Sequence, residues 1–177
     1  MKTNDWNIGL SRAKVEVANI GYNSKHSMLI RSKNLNNMYQ TMQANVSNIK
    51  YKNSEFAVVM YIRSAISGYD AWRDAWFIHT GYNLQVKVSS LIWVTCIGRW
   101  VKIMFVVYYD SDNKIAHGEV YRYVNGEWRL VKKNNKKANK PKNGSFKFRV
   151  KVFTLMGRNY NNEKVWLDNI EFYFRKS

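Results

Sequence analysis

Apolar and polar residues alternate along much of the chain, most clearly over Lys164–Phe174 (KVWLDNIEFYF). Val165 and Leu167 fall on one face, and a second apolar series that ends at Phe174 is out of step with them. A period of two is typical of a half-buried strand, and the slip at Asp168–Asn169 predicts a β-bulge. A segment this apolar has to pair inside a sheet, so we expect its neighbouring strands to come from far upstream.

The same alternation recurs between turn-forming residues. It predicts strands at Ala13–Ala18, His26–Ser32, Asn37–Ala44, Glu55–Ser64, Leu84–Val88, Leu91–Thr95, Arg99–Tyr109, Ile115–Val124, Glu127–Val131 and Ser145–Leu155. Glu55–Ser64 and Arg99–Tyr109 are apolar on both faces, which predicts central strands. Asn125-Gly126 is a dipeptide favoured in two-residue hairpin turns. Many strands, with the final one pairing to early ones, predict an all-β fold, a jelly-roll β-sandwich.

Two segments depart from this alternation within the single jelly-roll domain that we predict for residues 1–177. Residues 65–98 are an irregular, aromatic-rich insertion. In it, Tyr69, Trp72 and Trp76 have the spacing that a helical turn would align on one side. Residues 132–143 (KKNNKKANKPKN) are a basic, polar loop.

The composition excludes several classes of protein. Hydrophobic residues make up 46% of the 177 residues and there is one proline, so the chain can bury a core and is not of low complexity. The single cysteine, Cys96, excludes an internal disulfide and is best explained as a small buried apolar residue. The sequence shows neither the apolar run of a signal peptide nor a stretch long enough to cross a bilayer. We therefore expect synthesis in the cytoplasm without a signal peptide and no membrane insertion.

A net charge of +17 predicts attraction to nucleic acid, anionic glycans, an anionic membrane surface or an acidic protein surface, although a solvated basic face would also explain it. The candidate polyanion-binding residues are the lysines of the basic loop: Lys132, Lys133, Lys136, Lys137, Lys140 and Lys142. The loop has no aromatic side chain on which bases could stack, so any nucleic-acid contact there would be independent of sequence. The alternative is a solvated loop without a partner.

Three stretches resemble, in order and spacing, the carbohydrate-binding modules of the galactose-binding-domain-like jelly-roll group. They are Gly21–Gln40 (GYNSKHSMLIRSKNLNNMYQ), Phe56–Ser64 (FAVVMYIRS) and Val165–Phe172 (VWLDNIEF). The resemblance implies a jelly roll that binds glycans without catalysis, although the same scaffold also serves structural roles. Modules of this group often hold a structural calcium ion between the first and last strands. Asp168 matches the acidic position of the closing strand and is the candidate calcium ligand, whereas the N-terminal stretch offers only Asp5 and Glu16 as further acidic ligands. No cofactor other than calcium is expected.

A sugar site needs flat aromatic faces for C–H surfaces and fixed polar groups for hydroxyls. The aromatic-rich insertion contains both, and its candidate ligand-binding residues are Tyr69, Trp72, Arg73, Asp74, Trp76, Tyr82 and Trp93. The alternative is that these aromatic side chains pack the insertion onto the sandwich or onto another subunit.

The sequence does not favour an enzyme. His26, His79 and His117 lie far apart and lack metal-ligand spacing. Asp110 and Asp112 flank a turn and could not face each other as a glycosidase pair without help from elsewhere. No nucleophile motif or glycine-rich phosphate loop is present.

These observations predict a non-catalytic carbohydrate-binding β-sandwich. Because a glycan binder usually works outside the cell, a virion component such as a phage tail, baseplate or capsid accessory protein would reconcile sugar binding with the missing export signal. One alternative is a structural virion protein that uses the same fold, with other subunits of the assembly as partners. Another is a sequence-independent binder of nucleic acid or other polyanions.

Overall fold

The computed structural model describes residues 6–7, 13–32, 39–46, 55–64, 72–79, 81–88, 98–140, 148–155 and 164–174. Within these residues, all regular elements are strands: β1 (Trp6–Asn7), β2 (Ala13–Ala18), β3 (Ser27–Ser32), β4 (Tyr39–Val46), β5 (Phe56–Ser64), β6 (Trp72–His79), β7 (Leu84–Val88), β8 (Val101–Asp110), β9 (Ile115–Val124), β10 (Glu127–Lys137), β11 (Phe148–Leu155) and β12 (Lys164–Phe174). Within the described ranges, no helix is long and apolar enough to cross a membrane. The prediction for Leu91–Thr95 and the burial of Cys96 lie outside the described residues.

The strands form two antiparallel sheets. The five-stranded sheet has the order β1-β4-β11-β6-β7, and the seven-stranded sheet has the order β10-β9-β8-β5-β12-β3-β2. The last strand, β12, lies between β5 and β3, so it pairs with strands from far upstream as its apolar pattern requires. The predicted all-β jelly-roll class is confirmed.

The bulge predicted in β12 is present. Asp168 pairs with Tyr61 of β5, but the next paired residue of β12 is Glu171, opposite Val59. Asn169 supplies the irregular backbone with a φ of 47°, a left-handed conformation that asparagine tolerates better than most residues. The extra residue explains why the two apolar series of this strand are out of step.

The core lies between the two sheets and is centred on β5 and β8. Each strand directs every second residue inward, and the seven-stranded sheet contributes buried Phe56, Val58, Met60, Ile62, Ile103, Phe105 and Val107. Phe77 of β6 and Leu84 and Val86 of β7 meet them from the five-stranded sheet. The fourth place of β5 among seven strands confirms its predicted central position.

The hairpin predicted at Asn125-Gly126 connects β9 and β10. Both turn residues have positive φ, 50° and 84°, as a two-residue turn that matches the strand twist requires. Strand β10 does not end at Val131 but continues to Lys137, with a register shift between Leu130 and Lys132. The basic loop predicted from residue 132 is therefore wrong for residues 132–137, because β9 is long enough to pair with them.

The helical spacing noted in the aromatic-rich insertion does not correspond to a helix at residues 72–79. Trp72–His79 form β6, which pairs with β11 on one side and with β7 on the other. In a strand, positions 72 and 76 lie about 13 Å apart instead of one turn apart. A substantial part of the predicted insertion thus belongs to the five-stranded sheet.

The two sheets approach each other closely where β10 and β9 pass over β7. Asn134 donates its Nδ2–H to the carbonyl oxygen of Gln85 at 2.7 Å, and Lys136 donates from Nζ to that of Asn83 at 3.2 Å. Gly118 of β9 is buried here, and a Cβ at this position would lie 2.8 Å from Leu84 Cδ2. The missing side chain of Gly118 lets the sheets close at this edge.

Candidate functional site

Aromatic side chains gather on the outer face of the seven-stranded sheet, the face turned away from the core. Since Ile103, Phe105 and Val107 point inward, Lys102 and Tyr108 of β8 point outward. The register places Tyr61 opposite Lys102 and Tyr123 opposite Trp128. Tyr61, Lys102, Tyr123 and Trp128 therefore cross four neighbouring strands, and we call this set the aromatic row.

Lys102 is the centre of the aromatic row. Its Nζ lies 5.8 Å from the ring centroid of Tyr61, 5.3 Å from that of Tyr123 and 5.6 Å from that of Trp128. Tyr123 and Trp128 meet edge to face, with centroids 5.1 Å apart. Each cation–π contact is worth about 0.5–1 kcal/mol at an exposed site. The half-buried ammonium group and the three rings thus hold one another in place.

A loop extends the aromatic row at the Tyr61 end. The ring of Tyr22 stacks on that of Tyr61, with centroids 3.7 Å apart and planes at 13°. The buried Asp168 anchors this loop, because its Oδ2 accepts hydrogen bonds from the Tyr22 backbone N–H at 2.8 Å and from Ser24 Oγ at 2.9 Å. Its Oδ1 accepts from the Asn169 N–H at 2.8 Å. The bulge in β12 therefore positions an aromatic ring of the site.

Burial, together with the hydrogen bond to Tyr22, raises the pKa of the Tyr61 phenol to about 12. Tyr61 therefore keeps its proton at neutral pH and remains a neutral hydrogen-bonding group.

The surroundings of Asp168 do not fit the calcium ion considered from the sequence. Its carboxylate faces two N–H groups and a hydroxyl donor, whereas calcium is bound by six to eight oxygen ligands. Among the described residues, no group of three or more His, Cys, Asp and Glu side chains could hold a metal ion. Asp5 lies outside the described residues, and Glu16 is exposed on β2.

An open cleft of about 450 Å³ adjoins the aromatic row at the start of β8. One side of the cleft consists of Tyr61, Lys102 and Tyr123 of the aromatic row together with Tyr22. The remainder is lined by Arg99, Trp100, Arg122 and two valines. The volume lies within the range of about 300–1,000 Å³ that is typical of small-molecule sites.

A second polar cluster lies on the same face around Glu119. Tyr108 donates its hydroxyl to Glu119 Oε1 at 3.1 Å, and Tyr121 donates to Oε2. Tyr108 also stacks on His117 with ring centroids 4.6 Å apart, and His117 Nδ1 lies 2.9 Å from Asn135 Oδ1. These contacts fix a carboxylate between aromatic rings.

The pKa values of both phenols around Glu119 lie above the ordinary value. The hydrogen bond to Glu119, followed by burial, raises the pKa of Tyr121 to about 12. Burial and the hydrogen bond to Glu119 also raise the pKa of Tyr108. Both phenols stay protonated at neutral pH, so the cluster can bind hydroxyl groups but holds no phenolate.

Among the candidate ligand-binding residues predicted from the sequence, the structure describes the side chain of Tyr82 alone. Tyr82 is 3% exposed and stacks on Tyr109, with centroids 5.5 Å apart. The prediction that it binds ligand is therefore wrong, because its ring belongs to the core. Strand β6 contains four of the other candidates, Trp72, Arg73, Asp74 and Trp76, but their side chains are not among those described. The remaining two, Tyr69 and Trp93, lie outside the described residues.

The candidate polyanion lysines do not form one patch. Strand alternation places Lys132 and Lys136 on the side of β10 that faces β7, and Lys133 and Lys137 on the outer face. Lys140 is exposed beyond the strand, and Lys142 lies outside the described residues.

Asp110, one of the two aspartates at the turn of residues 110–114, has a structural role. Its carboxylate accepts hydrogen bonds from the backbone N–H groups of Asp112 and Asn113 and from the Asn113 side chain, which lower the pKa of Asp110. This is the pattern of an Asp that closes its own turn.

Comparison with known proteins gives matches only at the level of structure. No protein-family model matches the chain, and no curated protein does. The lectin UEA-II in complex with galactose superposes with a TM-score of 0.53 at 8% identity, covering 97% of this chain and 93% of the lectin. The chain has a lectin-like jelly-roll fold.

Two further structures share the lectin-like fold. Lectin II from Ulex europaeus matches with a TM-score of 0.52 at 7% identity, over 97% of this chain and 93% of that one. Arcelin-5, a lectin-like defense protein from Phaseolus vulgaris, matches with a TM-score of 0.50 at 11% identity, over 99% and 95%. At these identities the likeness concerns the fold alone, and at that level it confirms the resemblance to carbohydrate-binding jelly-roll modules.

Proposed function

We propose that this lectin-like domain is a non-catalytic carbohydrate-binding domain whose sugar site is the aromatic row. The observation that carries the proposal is a partly exposed set of rings built around a fixed cation on the outer face of a regular sheet. Tyr123 is 42% exposed, so its ring is accessible to a ligand. The galactose complex of UEA-II supports the proposal by showing a sugar ligand on a protein of similar fold.

The aromatic row supplies the two kinds of contact that a sugar requires. The rings of Tyr123 and Trp128 offer apolar surface for the C–H face of a pyranose, and ring contacts of this kind stabilise beyond the buried area. Lys102 and the phenols of Tyr22 and Tyr61 offer hydrogen-bond donors for hydroxyl oxygens. Three inter-strand spacings give the row a length of about 14 Å, which is suited to a short oligosaccharide.

The experiment is a glycan-array screen followed by calorimetric titration of the best ligand with wild type, Tyr123→Ala and Trp128→Ala. We expect each variant to lose about tenfold or more in affinity while keeping the wild-type melting temperature within a few degrees. Tyr173→Ala is the matched control, because Tyr173 is 53% exposed on the same sheet but outside the aromatic row. Unchanged affinity in Tyr123→Ala and Trp128→Ala, or a screen without any bound glycan, would refute the proposal.

A structural role in an assembly is a second candidate, favoured by the exposed Leu130 on the same outer face. Leu130 is 49% exposed, and tyrosine, tryptophan and apolar side chains together also suit a protein interface. Analytical ultracentrifugation tests this role: concentration-dependent self-association that Leu130→Ser abolishes would support it, and a monomer at all concentrations would count against self-assembly. A virion location and sugar contacts by Trp72 and Trp76 remain predictions.

A further inference from the structure

The cleft beside the aromatic row is strongly cationic. Arg99, Lys102 and Arg122 all line it, and the described residues that line it include no aspartate or glutamate. Three positive charges around one cleft repel one another. An anionic group in the cleft would relieve this repulsion.

The three cations are also available for binding. Among the described residues, none of the three side chains has a carboxylate or hydrogen-bond partner, and the contacts of Lys102 Nζ are with the rings of the aromatic row. A guanidinium group offers donors in a fork that matches a carboxylate or a sulfate, whereas an ammonium group acts as a point charge. The cleft thus combines two forks, one point charge and aromatic walls.

We propose that the cleft binds an anionic sugar, whose carboxylate or sulfate pairs with Arg99, Lys102 and Arg122 while its ring contacts the aromatic row. This inference rests on the proposed sugar-binding function and narrows its ligand class. The anionic group enters beside Lys102, which belongs both to the row and to the cleft. Sugars that lack a charged group make the ring contacts but leave the two arginines without a partner.

The arrangement favours an anionic sugar over a single-stranded nucleic acid. Nucleic acid presents one phosphate per nucleotide, and its binding proteins carry cations along an extended groove with rings for successive bases. Here the three cationic residues line one cleft of about 450 Å³. The rings of Tyr22 and Tyr61 stack on each other, so one face of each is not available to a base.

The test compares trigalacturonic acid with its methyl ester, which keeps the sugar rings and loses the charge. Calorimetric titration at physiological ionic strength should show the acid binding wild type about tenfold or more tightly than the ester. Arg122→Gln and Arg99→Gln should each weaken binding of the acid by about 10- to 100-fold and change binding of the ester by less than about twofold. A matched pair, galactose 6-sulfate and galactose, repeats the comparison with sulfate as the charge.

Lys133→Gln is the control for loss of one positive charge, because Lys133 is exposed on the outer face but does not line the cleft. It should change binding of either sugar by less than about twofold. Arg122 is half-buried, so the melting temperature of Arg122→Gln is measured first; Arg99 is exposed, and Arg99→Gln tests the cleft without a folding risk.

The outcomes separate this inference from the proposed function. If wild type binds the acid and the ester with equal affinity and Tyr123→Ala binds neither, the inference of an anionic ligand is wrong and the proposed sugar site at the aromatic row stands. Equal losses in Lys133→Gln and Arg99→Gln show a general charge effect and overturn the cleft. Tighter binding of a single-stranded oligonucleotide than of either acidic sugar, with a steep salt dependence, overturns the inference in favour of nucleic acid. Binding of no sugar overturns both proposals.

Discussion

Asp168 gives the sharpest prediction, because one buried carboxylate holds both the bulge of β12 and the loop that carries Tyr22. Asp168→Asn replaces one acceptor oxygen with an NH₂ group, so at least one of its three donors then faces another donor. Asp168→Ala leaves all three donors without this acceptor. Both changes should release Tyr22 from its place on Tyr61.

The magnitude follows from the hydrogen bonds. A bond to a charged group is worth about 1.5–3 kcal/mol, and an unsatisfied buried donor costs about 1–3 kcal/mol. We expect Asp168→Asn to lower the free energy of unfolding by about 1–3 kcal/mol and Asp168→Ala by about 3–5 kcal/mol. A domain of this size has about 5–15 kcal/mol in total, so the alanine variant loses a large fraction of its stability.

Urea denaturation measures these losses, and thermal melting should show a decrease of about 2–4 °C for each kcal/mol. Asp112→Asn is the control, because it removes the same charge from an exposed turn. In Asp168→Asn the pKa of Tyr61 should also fall from about 12 toward its usual value, since Tyr22 no longer supports the protonated phenol. A free energy of unfolding within about 0.5 kcal/mol of wild type would refute the anchoring role of Asp168.

Three further predictions follow. Gly118→Ala should lower the free energy of unfolding by about 1–3 kcal/mol in urea, because its Cβ would crowd the buried Leu84 side chain; a neutral result would contradict the close approach of the sheets. The pKa of Tyr121 is about 12 in the folded protein and 10.0 ordinarily, so the protonated phenol stabilises the folded state. This contribution to the free energy of unfolding is complete below pH 10 and is lost as the pH rises toward 12. Glu119→Gln should lower that pKa in an ultraviolet titration and flatten the stability loss, and an unchanged titration would exclude Glu119 as its cause. Calcium or EDTA should leave the melting temperature unchanged, whereas a calcium-dependent increase would make Asp168 a metal ligand.

The sequence predicted the fold well where the pattern was local. The slip at Asp168–Asn169 and the Asn125-Gly126 turn are encoded by neighbouring residues, and both are present. The pattern failed for Trp72 and Trp76, because aromatic residues four apart also occur at alternate positions of a strand, and the pairing with β11 decided between the two.

The site was less accessible to prediction, because its members come together through strand register. Tyr61 and Trp128, the outer members of the aromatic row, are more than a third of the chain apart in sequence. The pairing of β5, β8, β9 and β10 aligns them with Lys102 and Tyr123. One signal was available: Lys102 interrupts a strand that is otherwise apolar on both faces. A cation in such a place requires a partner, and rings on the neighbouring strands provide one.

The position of β12 also determines the order in which this sheet can assemble. Without β12, the seven-stranded sheet consists of two separate pieces, one containing β10, β9, β8 and β5 and the other containing β3 and β2. The first piece includes hairpins with short connections, which close rapidly, whereas the contacts of β12 with β3 span more than a hundred residues and form slowly. During synthesis on the ribosome, we therefore expect the edges of both pieces that face β12 to stay unpaired until β12 has emerged. That interval is when the nascent protein is most prone to aggregate and most in need of a chaperone.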